Sequence, residues 1–249
     1  MELIWDINNK DVQKVKALIK RMKNNPLVAQ RRKNLKKKID TVDKHLFWYR
    51  LVACLLTTQQ RSGPESPISK FLRLEPFPLS LNNCSNHDNL EEFIHSTLSS
   101  YDGIRRYNRI TEEIVHNFTL IDSEKWSNIK LTLEKLAHDH THLEEQKAAE
   151  KVQSLFKGFG PKQSRNLLQS LNLSVYEIPI DSRITKWLNN FGFPIKLSSK
   201  ILSDNDNYNL ISSGIQKLCA KVGIYPCILD AAIFASFDGD KWEETNIIW

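Results

Sequence analysis

Long apolar runs are missing from this chain. No stretch reaches the length needed to cross a membrane. The N-terminus reads Met-Glu-Leu-Ile-Trp-Asp, with no apolar run behind it, so no secretory signal is expected. An intracellular location follows from that reading, in the cytoplasm and nucleoid or in a nucleus, with no membrane partner. Glycine (8) and proline (9) are sparse among 249 residues, and strand-like alternation is rare. Both scarcities weigh against a loop-rich or all-β protein. Cysteine is also thinly spread. Cys54, Cys84, Cys219 and Cys227 form no Cys-x-x-Cys pair, which argues against a disulfide framework or a zinc ribbon. They read as buried free thiols in a reducing compartment.

What remains is helical. A hydrophobic content of 41% and a mean hydropathy of −0.42 suit one large or two small soluble domains. Val12, Val15, Leu18, Ile19 and Met22 recur at helical spacing with lysines between them. From Asp43, the residues Leu46 to Leu56 are apolar almost all round and predict a buried central helix, which Gly63 and Pro64 follow. Roughly a dozen helices are expected in all, in two lobes with a ligand cleft between them. Residues 1–64 and 176–249 would form one discontinuous lobe, and residues 65–175 the other.

Charge is uneven. The net charge is +6, but residues 1–50 hold 14 Lys/Arg against 5 Asp/Glu, a local +9 that leaves −3 for the rest. A basic front end favours an anionic partner, nucleic acid first. Within it, the run Arg31–Lys38 has few apolar neighbours and reads as an exposed helix or a flexible arm able to touch phosphates. The alternative is a solvated helical face. His138-Asp139-His140-Thr141-His142 has no obvious fourth ligand and reads as a polar linker, not a metal site.

The most informative segment is Phe156-Lys157-Gly158-Phe159-Gly160-Pro161-Lys162-Gln163, followed one helix later by Ile178-Pro179-Ile180-Asp181. Gly158 and Gly160 are expected to adopt positive φ and to admit a phosphate close to the main chain. Pro161 suits the first helical position, and the free N–H groups behind it form an anion site. A plain tight turn is the bland alternative. Lys162 sits in the first turn, where the helix dipole disfavours a cation. Desolvation in a cleft would free its amine as a nucleophile. A mere phosphate contact is the competing role. Asp181 is placed to cap the next helix, and equally to stabilise positive charge on a sugar ring.

These residues resemble the helix-hairpin-helix base-excision DNA glycosylases of the endonuclease III and 8-oxoguanine glycosylase type. Their bifunctional members carry a lysine two residues past the second hairpin glycine and an aspartate further on, as Lys162 and Asp181 stand here. The resemblance implies an all-α, two-lobed fold. It also implies that Lys162 is a Schiff-base nucleophile and Asp181 the essential carboxylate. Gly158, Gly160, Gln163 and Arg183 would bind DNA. Leu55-Leu56-Thr57-Thr58-Gln59 is similar to a family segment facing the minor groove, which makes Gln59 a candidate to fill the gap left by an extruded base. Gly103–Ile110 matches a family stretch more loosely.

The chain departs from the family at Phe156-Lys157, at Pro161 and at Arg183, where a histidine is common. It also has no four-cysteine loop after Cys227, so no iron–sulfur cluster or other cofactor is expected. The implied activity is a monomeric glycosylase and abasic-site lyase on double-stranded DNA holding a damaged base, with an oxidised purine first. A monofunctional glycosylase or a non-catalytic DNA-binding module stays open. Trp48 and Tyr49 read as core, and Trp187 as packed against the helix of Asp181. Phe234, Phe237 or Trp249 could stack on an extruded base.

Overall fold

The computed structural model describes residues 4–247, apart from Lys38, Asp40, Asp139, His140, Asp238, Asp240 and the side chain of His138. Among the described residues the chain is helical and strandless. The helices are α1 (Asn9–Arg21), α2 (Pro26–Asn34), α3 (Lys44–Leu56), α4 (Pro67–Leu72), α5 (Leu81–Ser85), α6 (Leu90–Ser99), α7 (Tyr107–Ile121), α8 (Lys125–His138), α9 (His142–Leu155), α10 (Pro161–Ser170), α11 (Ser182–Phe191), α12 (Asn205–Val222) and α13 (Pro226–Phe237). No single helix there is long and apolar enough to cross a membrane.

Two hydrophobic cores explain the arrangement. From Phe47 onward helix α3 is almost wholly apolar because it is surrounded there. Phe47, Trp48, Leu51, Val52, Leu55 and Leu56 are fully buried at the centre of the larger core, whose members run from Val42 to Leu173. Asp43 caps the helix, its carboxylate accepting from the Leu46 N–H. Trp48 satisfies its indole by donating to the Leu79 carbonyl at 2.9 Å. The smaller core joins α1, α2, α11, α12 and α13. The cores therefore divide near Val42, whereas the sequence boundary at residue 64 assigned α3 to the lobe of the chain ends. An all-apolar helix carries no mark of which partner surrounds it.

Helix α2 corrects a second expectation. It is a packed helix with one inward face, Leu27, Val28, Arg31 and Asn34, while Arg32, Lys33, Lys36 and Lys37 stay exposed as the exposed-helix reading had them. Arg31 is nine-tenths buried and donates to the Gln169 carbonyl at 3.2 Å. Two of the four inward residues are polar, so a search for apolar periodicity passes over them.

The segment between α10 and α11 crosses from one core to the other and is held along its length. The Glu145 carboxylate on α9 accepts from the main-chain N–H groups of Val175, Tyr176 and Glu177 and from the Ser174 hydroxyl, at 2.7–2.9 Å. Arg165 on α10, fully buried, donates to Glu177 at 2.6 Å and to Asn209 on α12 at 2.7 Å. Tyr208 closes the crossing: its hydroxyl accepts from Ile180 N–H and donates to the Ile178 carbonyl. The buried side chains Glu145, Arg165, Ser174, Glu177 and Tyr208 are thus all partnered in this crossing, which ties the start of α11 to α10.

Candidate active site

A cleft of about 1020 Å³ opens between the two cores. Each of the seven sequence-nominated residues lines it: Gln59, Gly158, Gly160, Lys162, Gln163, Asp181 and Arg183.

The hairpin between α9 and α10 is pinned from below. Phe156 and Phe159 are buried in the larger core. Asn117 on α7 donates to the Lys157 carbonyl at 2.9 Å and accepts from the Lys157 N–H at 2.8 Å. Gly158 has φ +87°, and a Cβ there would stand 2.6 Å from Glu113 Cδ and 2.7 Å from Leu55 Cδ2. Glu113 cannot simply swing away, since it is buried and paired with Arg109 at 2.7 Å. Gly160 differs from the expectation of positive φ. It is extended, at φ −95° and ψ −171°, because it is the N-cap of α10. Its Cβ position faces open space, so the cleft side of the hairpin is unobstructed there.

The first main-chain bond of α10 runs from Ser164 N–H to the Gly160 carbonyl. The N–H groups of Lys162 and Gln163 precede it in the first turn, aligned with the positive end of the helix dipole. The Gln163 side chain is turned inward, bonded to the Cys54 carbonyl and the Thr58 hydroxyl. Gln163 can therefore offer a phosphate only its main chain.

Lys162 is half-buried on the cleft wall. Its ammonium has no hydrogen bond or ion pair with any described residue. The amine stands close enough to Cys54 for its charge to act on that thiol, which burial pushes up to about 12. All four thiols are buried, Cys54 and Cys84 in the larger core and Cys219 and Cys227 in the smaller one.

Asp181 caps α11. Its Oδ1 accepts from the N–H groups of Arg183 at 2.8 Å and Ile184 at 2.9 Å, and its Oδ2 accepts from the Arg183 guanidinium at 2.8 Å. Arg183 is thus engaged by Asp181, and it also lies over the Phe234 ring at 3.9 Å. Gln59 stands at the mouth in the left-handed region, φ +56°, and its side-chain oxygen accepts from Arg106, which is itself at φ +63°. Two non-glycine residues in that region, bonded to each other, mark a constrained edge.

Sequence reasoning missed two cleft residues. Asp230 lies on α13, 7% exposed, within the otherwise apolar Ile228–Ile233. Burial pushes its carboxyl up to about 7. Arg31 pulls it back, the Asp181 charge pushes it further up, and Gln169 and Arg183 act downward. An acid in the middle of an apolar run was the available signal. Arg31, on α2, also lines the cleft. Among the aromatics, Phe234 is on the cleft wall, whereas Trp187 stacks on Phe191 at 4.5 Å and Phe237 lies outside the lining beneath Lys186. Trp249 and the middle of the histidine cluster lie outside the described residues. The described His142 contacts Glu177 at 3.1 Å, and no metal-binding group is found among the described residues.

No family model and no curated protein sequence matches the chain. Solved structures do. The 8-oxoguanine DNA glycosylase of Methanocaldococcus jannaschii superposes with a TM-score of 0.66 at 17% identity, over 96% of this chain and 100% of that one. The 8-oxoguanine DNA glycosylase of Thermotoga maritima superposes with a TM-score of 0.60 at 18% identity, over 94% of this chain and 99% of that one. Over the described residues this chain has the all-helical, two-lobed helix-hairpin-helix fold of those two structures.

Proposed function

We propose that the chain is a DNA glycosylase with abasic-site lyase activity, acting as a monomer on duplex DNA that carries a damaged base. The observation that carries this reading is Lys162: an amine without a partner among the described residues, on the wall of a cleft it shares with Asp181. A lysine kept only for charge would ordinarily be found paired or fully solvated.

The hairpin grips a backbone phosphate through the open side of Gly160 and the first-turn N–H groups of α10. The duplex bends, and one nucleotide leaves the stack for the cleft, at an unstacking cost of a few kcal/mol offset by phosphate contacts. The Lys162 nitrogen attacks C1′. The N-glycosidic bond breaks, and its electron pair leaves with the base, which takes up a proton. The resulting N,O-hemiaminal opens to an iminium as the C1′–O4′ bond breaks and O4′ takes up the proton shed by the attacking amine, and loss of a C2′ proton expels the 3′ phosphate by β-elimination. Asp181 stabilises the positive charge that builds on the sugar and supports amine activation. Gln59 enters the space left in the stack. No metal or iron–sulfur cluster has a part in these steps. The first substrate is an oxidised purine, 8-oxoguanine above others, which the names of both superposing structures support.

Borohydride reduction tests the chemistry. The wild-type chain should yield a covalent protein–DNA adduct on a lesion duplex, and Lys162→Gln should yield none. Base release without an adduct would make the protein a monofunctional glycosylase. Binding without release, across a panel of lesions, would make it a binding module and end the catalytic reading.

A further inference from the structure

Two buried ionisable groups in the cleft play no part in the steps above. Arg31 enters from α2 and Asp230 from α13, and both are more than nine-tenths buried. Both line the cleft beside Phe234 and Asp181. They are close enough for the Arg31 charge to act on the Asp230 carboxyl, yet no ion pair joins them among the described residues. Among the described residues the one hydrogen bond of the Arg31 guanidinium goes to the Gln169 carbonyl, which leaves its other N–H donors unbonded on a side chain that lines the cleft. A buried guanidinium and a buried carboxyl that face one space without meeting are costly to keep. The cost is recovered when a third group fits between them, accepting from one and donating to the other.

We propose that Arg31 and Asp230 form the subsite that reads the extruded base, Arg31 donating to a carbonyl oxygen and Asp230 accepting from an adjacent ring N–H. The chemical class is a base with a lactam edge, C=O next to N–H. Guanine-type and oxidised-guanine bases carry that edge, and adenine does not. The inference rests on the reading that this cleft receives an extruded base. The surroundings suit a flat, polar ligand. Phe234 supplies a ring face backed by Arg183, and Ala231 leaves room on the same helix. Asp230 is held up to about 7 by burial, against the pull of Arg31, as a carboxyl waiting for a donor would be. The other charged groups acting on it are Asp181 and Arg183 from the start of α11, and Gln169 approaches from α10.

The test is equilibrium binding to duplexes that cannot be cleaved. One holds 2′-fluoro-8-oxodeoxyguanosine, one 2′-fluorodeoxyadenosine and one a tetrahydrofuran abasic analogue. The measured quantity is the ratio of each base-containing Kd to the abasic Kd. Wild type should favour 8-oxoguanine by about tenfold or more and treat adenine no better than the abasic analogue. Arg31→Met and Asp230→Leu should each lower the 8-oxoguanine preference about tenfold. Both replacements are of similar length, but each leaves the other group without its counter-charge, so the melting temperature is read before the binding ratio. Arg31→Lys, which keeps the charge, serves should Arg31→Met fail to fold. Ratios within twofold of wild type in the variants, or equal preference for adenine, overturn the proposal. The duplexes are inert to the Lys162 chemistry, so a failed borohydride trap would sink that chemistry alone and leave this ratio readable.

Discussion

Asp181 and Arg183 hold each other at the start of α11. The main-chain N–H of Arg183 donates to one carboxylate oxygen and its guanidinium to the other, both at 2.8 Å. The carboxylate therefore has two roles that substitution can separate. Asn keeps a capping oxygen and Ala does not. Asp181→Asn should leave the melting temperature nearly unchanged, while Asp181→Ala should cost about 1 kcal/mol. Both should slow single-turnover base excision about a hundredfold or more, since both remove the charge. A wild-type rate in Asp181→Asn would reduce Asp181 to a helix cap.

The two hairpin glycines should behave oppositely. Gly158→Ala forces a side chain into the left-handed region and against Glu113 and Leu55. Roughly 2–4 kcal/mol of stability should be lost, read by urea denaturation. Gly160→Ala meets no atom within 4 Å and should cost less than about 1 kcal/mol. Its methyl group narrows the phosphate approach instead. Fluorescence anisotropy should therefore show weaker DNA binding in a protein that still melts normally.

Arg165 and Glu177 form an ion pair with neither side chain exposed. Burial pushes the Glu177 carboxyl up, but the bond from His142, the Arg165 charge and the Ser212 hydroxyl together bring it below its ordinary range. Its stabilising contribution is present above the ordinary glutamate pKa and is lost as acid protonates the folded form. Arg165→Met strands the carboxylate and should cost about 3–5 kcal/mol at pH 7. The deficit should shrink as pH falls, first as the stranded carboxyl, which burial pushes up once Arg165 is gone, takes a proton, and further as acid protonates Glu177 of the wild type. A denaturation series across that range checks both statements.

Asp230 has the opposite sign. Folding raises its pKa from 3.8 to about 7, with burial the leading cause. Between those values the folded protein keeps a proton that the unfolded chain has released, so this group makes stability fall as pH rises. Asp230→Asn should remove that slope. It should stabilise the protein at pH 8 by a few kcal/mol, at roughly 1.4 kcal/mol per pKa unit, and by much less at pH 4. Parallel slopes in both proteins would show that Asp230 titrates normally.

Much of this was legible in the sequence, for reasons that can be named. The place of Lys162 and Asp181 on the wall of one cleft was legible because a Gly-x-Gly-Pro-Lys turn and a Pro-x-Asp helix start are local patterns that fix local geometry. Capping of α11 by Asp181 and burial of α3 follow from neighbours a few residues away. Arg31 was read as solvent-facing because its partner, Gln169, is remote in the chain. Asp230 escaped notice because its meaning comes from what α2 and α11 bring to it. The split between the lobes was displaced for the same reason: the surroundings of α3 are assembled from distant segments.

The Glu145 carboxylate gathers four hydrogen bonds from the strand of chain that leads to Asp181. The place of Asp181 on the cleft it shares with Lys162 is therefore gauged by a side chain on the far arm of the hairpin, not by the length of the connecting peptide. An added or deleted residue between Leu171 and Ile178 would put the wrong amides in that grip. It would shift Asp181 out of step with Lys162 even though neither side chain had been touched.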